Sequence, residues 1–123
     1  MQLAKDGMLS ASTDFDVLKD ADVIVICVPT PLTVNFDPDT SYIVSVSEEF
    51  AKRLRPGQLV TLESTTYPGT TQEVILSTLE KSDLKIGEDF FLAFSHERVD
   101  PGNKCYTTKN TSKVVGGVTP DCL

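Results

Sequence analysis

The sequence predicts an α/β fold, a parallel sheet with flanking helices. Three observations predict it. Short segments at 23–28, 58–65 (with Leu59, Val60 and Leu62 apolar) and 90–94 are too brief for helices and rich in β-branched or aromatic residues, as buried strands are. Segments with helical spacing separate them, which implies crossovers between parallel strands. Each run then stops at a polar cluster, where a strand would give way to a turn.

The run Ala21-Asp-Val-Ile-Val-Ile-Cys-Val-Pro-Thr-Pro-Leu32 organises the rest. Residues 23–28 read as a central strand buried on both faces, with Cys27 a small core hydrophobe. Pro29 and Pro31 cannot donate to a ladder, so the chain leaves the sheet there and holds Thr30 just past the strand's carboxyl end. Ligands of open α/β sheets bind at such ends.

Before this strand, residues 1–12 look like the tail of an earlier element, and residues 10–13 suggest a short edge strand. Thr13 or Asp14 is placed to cap a helix at 15–20. A polar loop at 32–40 leads to a cap at Asp39, Thr40 or Ser41 and a helix at 42–54. Its residues Tyr42, Ile43, Val46, Phe50 and Leu54 recur on one face. Arg55-Pro56-Gly57 stops it. After the strand at 58–65, Tyr67-Pro68-Gly69 turns the chain and Thr70 or Thr71 caps a helix at 72–80. A long loop at 95–111 follows the third strand. A fourth strand is expected at 113–117, then a helix start with Thr119 as cap and Pro120 at its first position.

The chain has 123 residues, 40% hydrophobic and 24% charged, with a net charge of −7 at pH 7. That suffices for one domain and is small for a complete α/β enzyme. The negative charge argues against a nucleic-acid partner. No apolar run approaches membrane-spanning length and the amino terminus has no signal-peptide pattern, so a cytoplasmic setting is expected. Cys27, Cys105 and Cys122 form no CxxC pair, which suits a reducing compartment. His96 is the only histidine, which rules out a histidine cluster for metal. The sequon Asn110-Thr-Ser112 is disregarded without a secretion signal.

Three strand ends carry the polar chemistry: Pro29-Thr30-Pro31, Glu63-Ser64-Thr65-Thr66, and Ser95-His96-Glu97-Arg98 followed by Asp100-Pro-Gly-Asn103. Adjacent parallel strands lie about 5 Å apart, so Thr30, Ser64, Thr65 and Glu97 would share one crevice. The same hydroxyls serve equally well as caps of β-to-α turns, and both readings stay open. Glu97 is the acid-base candidate, with a pKa expected to be raised by burial. Arg98 would pair with it or with a phosphate; an ordinary surface ion pair is the competing reading. No GxGxxG follows any strand, so the usual dinucleotide-phosphate cradle of a first βαβ unit is lacking.

Longer strings go further. Ile26-Cys-Val-Pro-Thr-Pro-Leu32, Leu62-Glu-Ser-Thr-Thr-Tyr-Pro-Gly-Thr-Thr-Gln-Glu-Val74, Phe94-Ser-His-Glu-Arg-Val-Asp-Pro-Gly-Asn103 and Lys113-Val-Val-Gly-Gly-Val-Thr-Pro120 resemble the UDP-glucose/GDP-mannose dehydrogenase family. They look most like its branch acting on UDP-N-acetylhexosamines. The resemblance implies a partial Rossmann-like domain, the second half of an NAD-binding domain lacking its first βαβ unit. It also implies NAD-dependent oxidation of a UDP-sugar at C6 to a carboxylate, in a homo-oligomeric enzyme that supplies uronic acids for surface polysaccharide. UDP-glucose and UDP-N-acetylmannosamine remain alternative substrates. By the same resemblance Thr30 lies near the nicotinamide and the reacting water. Ser64 and Thr65 line the nicotinamide side, and Glu97 positions the water or acts as base. Pro29, Thr30, Ser64, Thr65 and Glu97 form the implied cofactor set, and Arg98 the substrate contact. His96 departs from the family, which has proline there. The family's nucleophilic cysteine and sugar site are expected outside this chain, which would then be inactive alone. The alternative is a non-enzymatic half-sheet that dimerises, or pairs with a separate chain, through an open strand edge.

Overall fold

A computed structural model describes residues 2–99 and 102–123; Met1, Asp100 and Pro101 lie outside the described residues. After a first helical turn, α1 (Gln2–Lys5), the chain makes a 3₁₀ turn (Phe15–Asp20) and enters β1 (Val23–Ile26). Helix α2 (Ser41–Ala51) leads to β2 (Leu59–Leu62). A wide π-type segment (Thr71–Leu76) then runs into α3 (Ser77–Leu79) and a 3₁₀ turn (Glu80–Ser82). β3 (Phe91–Phe94), β4 (Gly116–Gly117) and a last 3₁₀ turn (Pro120–Cys122) complete it. The strand order is β1-β2-β3-β4.

Strands β1, β2 and β3 are parallel, in register Ile26↔Leu62↔Phe94. The sheet is mixed rather than wholly parallel, because β4 runs antiparallel to β3. The segment between them returns along β3 instead of crossing over, and a parallel partner would need a crossover. The expected strand at 113–117 shortens to two residues, with Val114 and Val115 exposed. A Cβ on Gly117 would lie 2.7 Å from the Cys122 carbonyl carbon, so glycine lets the final turn fold against β4. There the Cys122 Sγ accepts from the Leu92 amide at 3.4 Å.

One face of the sheet makes the core. Ile24, Ile26, Val60, Leu62 and Leu92 pack with Ile43 and Phe50 of α2 and with Ile75 and Leu79 of the second helical layer. Each such side chain contributes about 2 kcal/mol of burial. The expectation that β1 is central and buried on both faces does not hold. It is an edge strand, and it alternates: Ile24 is 5% exposed while Val23 is 54% and Val25 50%. Cys27 shares the outer face and is exposed rather than a core hydrophobe. The apolar run resembles a doubly covered strand, but the helices of the core cluster pack against the Ile24 and Ile26 side.

Local chemistry explains the remaining boundaries. Residues 10–13 form no strand. Instead the Ser12 hydroxyl accepts from the Asp14 amide, and the Asp14 carboxylate caps the 3₁₀ turn through Asp16 N–H at 2.9 Å. The Asp39 carboxylate accepts from Ser41 N–H at the start of α2. Thr70 has helical geometry and offers its helix no side-chain cap, since its hydroxyl donates to the Tyr67 carbonyl and meets Thr66 Oγ1 at 2.7 Å.

Gln58 is fully buried at the entry to β2. Its amide donates to the Leu18 and Ala21 carbonyls at 2.8 and 2.7 Å, and its Oε1 accepts from Arg55 N–H at 2.8 Å. These bonds tie the 3₁₀ turn to the sheet. Gln58→Ala would strand those groups, and a loss of about 2 kcal/mol is expected in urea unfolding.

Candidate functional site

The carboxyl ends of β1, β2 and β3 emerge side by side because the three strands are in parallel register. Ser64 ties the first two together. It is buried, its Oγ accepts from Val28 N–H at 2.8 Å, and it lies 3.5 Å from the Ile26 carbonyl oxygen. This is why β1 stops at Ile26 rather than Val28. Thr30 is half-buried and Pro29 exposed on the chain leaving β1.

A cavity of about 470 Å³ opens at the ends of β2 and β3. Residues Thr65 to Gly69 and Thr71 form one side, and Phe94, His96 and Glu97 the other. The structure thus brings Thr65 and Glu97 together. Pro29, Thr30 and Ser64 are outside this lining. Arg98 lines a separate cavity of about 400 Å³, with Asn103, Tyr106 and Asn110. Of the four residues expected in one crevice, Thr65 and Glu97 line the first cavity, and Thr30 and Ser64 do not.

Glu97 departs from its expected chemistry. It is exposed, and its Oε1 accepts two backbone bonds, from Val99 N–H and Arg98 N–H, each at 2.7 Å. These bonds favour the carboxylate and pull its pKa below the ordinary 4.5, with Lys113 and His96 adding smaller attractions. The upward push of burial is outweighed by these bonds. Among the described ion pairs none joins Glu97 to Arg98; the Arg98 contact is through its amide. His96, standing where proline was expected, lays its ring over Phe94 with centroids 6.1 Å apart and 25° between planes.

A pH dependence follows. A depressed carboxylate stabilises the fold fully above its unfolded pKa, and that stabilisation is lost as pH falls through the lower folded value. Glu97 shares this behaviour with Asp39, held down by the Ser41 hydroxyl and amide, and with Asp16 and Glu49. Asp16 is lowered by Lys19 and then Arg53, and Glu49 by Lys52 and then Arg53. The melting temperature should change little above the ordinary glutamate value of 4.5 and fall progressively below it. Thermal melts across pH check this, and Glu97→Gln should flatten the upper part of that fall.

Sequence reasoning assigned no role to Glu63 or Lys113, which form an ion pair across the strand ends. The signal was present as a charge directly after a buried strand, but its partner lies 50 residues away. Ser95 also went unassigned; its hydroxyl is buried at the end of β3 with no hydrogen-bond partner among the described residues.

A sequence model of the UDP-glucose/GDP-mannose dehydrogenase family, NAD binding domain, matches residues 1–123. The chain belongs to this family. Protein CapL of Staphylococcus aureus is 40% identical over 120 residues, covering 97% of this chain and 28% of CapL. A UDP-N-acetyl-D-glucosamine 6-dehydrogenase of Pseudomonas aeruginosa is 38% identical over 121 residues, 98% of this chain and 29% of that protein. The crystal structure of NDP-N-acetyl-D-galactosaminuronic acid dehydrogenase from Methanosarcina mazei Go1 superposes with a TM-score of 0.87 at 35% identity. It covers 98% of this chain and 26% of that one. The chain thus spans less than a third of the relatives it matches. These Rossmann-like neighbours agree with the α/β expectation, and the cofactor of this family's domain is NAD.

The cavity combines the hydroxyls of Thr65 and Thr66 with the flat rings of Tyr67 and His96, suited to a planar amide-bearing ring. Gly69 adopts φ +101° at its rim, a conformation side chains rarely take, and a Cβ there would meet Glu73 Oε1 at 2.6 Å. No glycine-rich turn follows β1, β2 or β3 among the described residues, so a pyrophosphate cradle is not among these elements.

Proposed function

We propose that this chain is the second half of an NAD-binding domain and forms the nicotinamide side of a nucleotide-sugar 6-dehydrogenase. The enzyme carrying it would oxidise the C6 hydroxyl of a UDP-sugar to a carboxylate. The observation that carries this reading is the meeting of Thr65 and Glu97 at one cavity on the carboxyl edge of the sheet. NAD, when bound, supplies the hydride acceptor. The protein's own part is orientation and proton handling. Glu97 has one oxygen fixed by two amides and the other without a hydrogen bond among the described residues, placed to order a water or accept a proton. Thr65 offers its hydroxyl to a polar ligand edge, and Thr66, whose proton goes to Thr70, offers an acceptor. Ser64 holds β1 against β2, so that Thr30 leaves the sheet at a fixed point.

The substrate class we favour is a UDP-N-acetylhexosamine, because the relatives from P. aeruginosa and M. mazei are named for N-acetylated sugars. Arg98, in its own cavity with Asn103 and Tyr106, is the proposed contact to that substrate. A cytoplasmic setting fits; among the described residues no helix is long and apolar enough to cross a membrane.

The isolated chain should not turn over and should bind NAD no more tightly than about 1 mM, since the phosphate contacts are missing. Titration calorimetry checks this, and low-micromolar binding would overturn it. The open edge of β1, with Val23 and Val25 half exposed, supports a second reading in which the chain self-associates through that edge. Light scattering should then find an oligomer; a strictly monomeric chain would count against it.

A further inference from the structure

We propose that Lys113 is a positioning residue for Glu97, braced by Glu63 and set across the strand ends from the site carboxylate. The proposal rests on the reading of Glu97 as the proton-handling group. Two independent pieces of geometry carry it. First, β3 and β4 pair with Phe94 opposite Gly116 and Ala93 opposite Gly117. The ladder ends at that pair, and Glu97, three residues after Phe94, and Lys113, three residues before Gly116, leave the sheet at the same end. Second, the Lys113 ammonium makes an ion pair with the Glu63 carboxylate, which follows β2 directly. One cation therefore ties the end of β2 to the segment that enters β4 beside the chain leaving β3.

The fold gives this contact work to do. β4 is only two residues long, and the return from Arg98 to Lys113 holds no other strand among the described residues. The amides of Arg98 and Val99 fix Glu97 locally, yet they move with the same loop. The Lys113–Glu63 pair anchors that loop to β2, an element of the core. The electrostatics agree: Lys113 is held protonated by Glu63 first, with Glu97 and Cys27 adding attraction. The groups that face Glu97 are Lys113 from the return strand and His96 on its own strand end. Glu63 lies behind Lys113, and Glu73, against Gly69, is the acid of the neighbouring helix.

The test is a carboxyl-carbon NMR titration of Glu97 in the full chain at low salt, for the parent and for K113M, K113R and E63Q. Removing the cation leaves two carboxylates facing each other, so K113M should raise the Glu97 midpoint by a few tenths of a pH unit. E63Q removes a negative charge and releases the ammonium toward Glu97, so the midpoint should fall by a similar amount. K113R should stay near the parent. A bracing role without this electrostatic link would loosen the loop in both variants and move Glu97 in the same direction. Equal signs, or no movement in either, would overturn the proposal. If K113M does not fold, E63Q decides alone: a falling midpoint supports it and an unchanged or rising one refutes it. Opposite signs, together with parental turnover of E97Q in the enzyme carrying this chain, would leave the positioning intact and remove the proton-handling reading of Glu97 instead.

Discussion

Replacing Glu97 by glutamine should cut turnover of the proposed enzyme carrying this chain by about a hundred- to ten-thousand-fold. The size follows from what the substitution keeps and what it removes. The glutamine side-chain oxygen can still accept from the Arg98 and Val99 amides, so the loop keeps its shape. The second carboxylate oxygen, without a hydrogen bond among the described residues, becomes an NH₂ group that cannot take a proton. The loss should therefore fall on kcat, with KM for the UDP-sugar changing less than about twofold. Steady-state kinetics with a UDP-N-acetylhexosamine check it. A variant with parental kcat would exclude Glu97 as the proton-handling group. Because hydrogen bonding lowers the pKa of Glu97, its ionised form should persist through mildly acidic pH, and the acidic limb of the rate profile should not come from this residue near neutrality.

The largest effect on stability is expected at Phe90. Its ring is fully buried at the entry to β3, within the cluster that joins the sheet to the helical layer. Its carbonyl accepts from Gly87 N–H at 2.8 Å, so the site is held on both sides and has little freedom to collapse. Phe90→Ala should cost about 4 kcal/mol. Phe36, 81% exposed at a loop tip, supplies the control, and its alanine variant should stay within about 0.5 kcal/mol of the parent. Urea midpoints at constant slope read both. A small loss at Phe90 would mean that the core is not organised around β3.

Patterns governed by near neighbours were legible in the sequence. The Asp14 cap and the turn at Phe15–Asp20 appear as expected, as do three parallel strands within the three apolar runs. What failed depended on distant partners. The continuous run at β1 does not say whether one face or two will be covered, and the exposure of Val23, Val25 and Cys27 follows from the helices packed on the Ile24 side. The direction of β4 is equally hidden, because Gly116 and Gly117 carry no pattern that distinguishes a crossover from a return. At the site, the motif residues were visible but their division was not. Ser64 turns its hydroxyl into the scaffold, Arg98 belongs to a second cavity, and Glu97 is lowered by its own loop's amides rather than raised by burial. The Lys113–Glu63 pair escaped notice since neither residue, read alone, differs from a solvated surface charge.

The most direct measurement is an amide and side-chain NMR map of the isolated chain titrated with NAD. The shifts should concentrate at Thr65, Thr66, Tyr67, Gly69, His96 and Glu97, with a dissociation constant at or above about 1 mM. Shifts confined to the outer face of β1 or to the Arg98 cavity, with these six residues unmoved, would contradict a nicotinamide site at the carboxyl ends of β2 and β3.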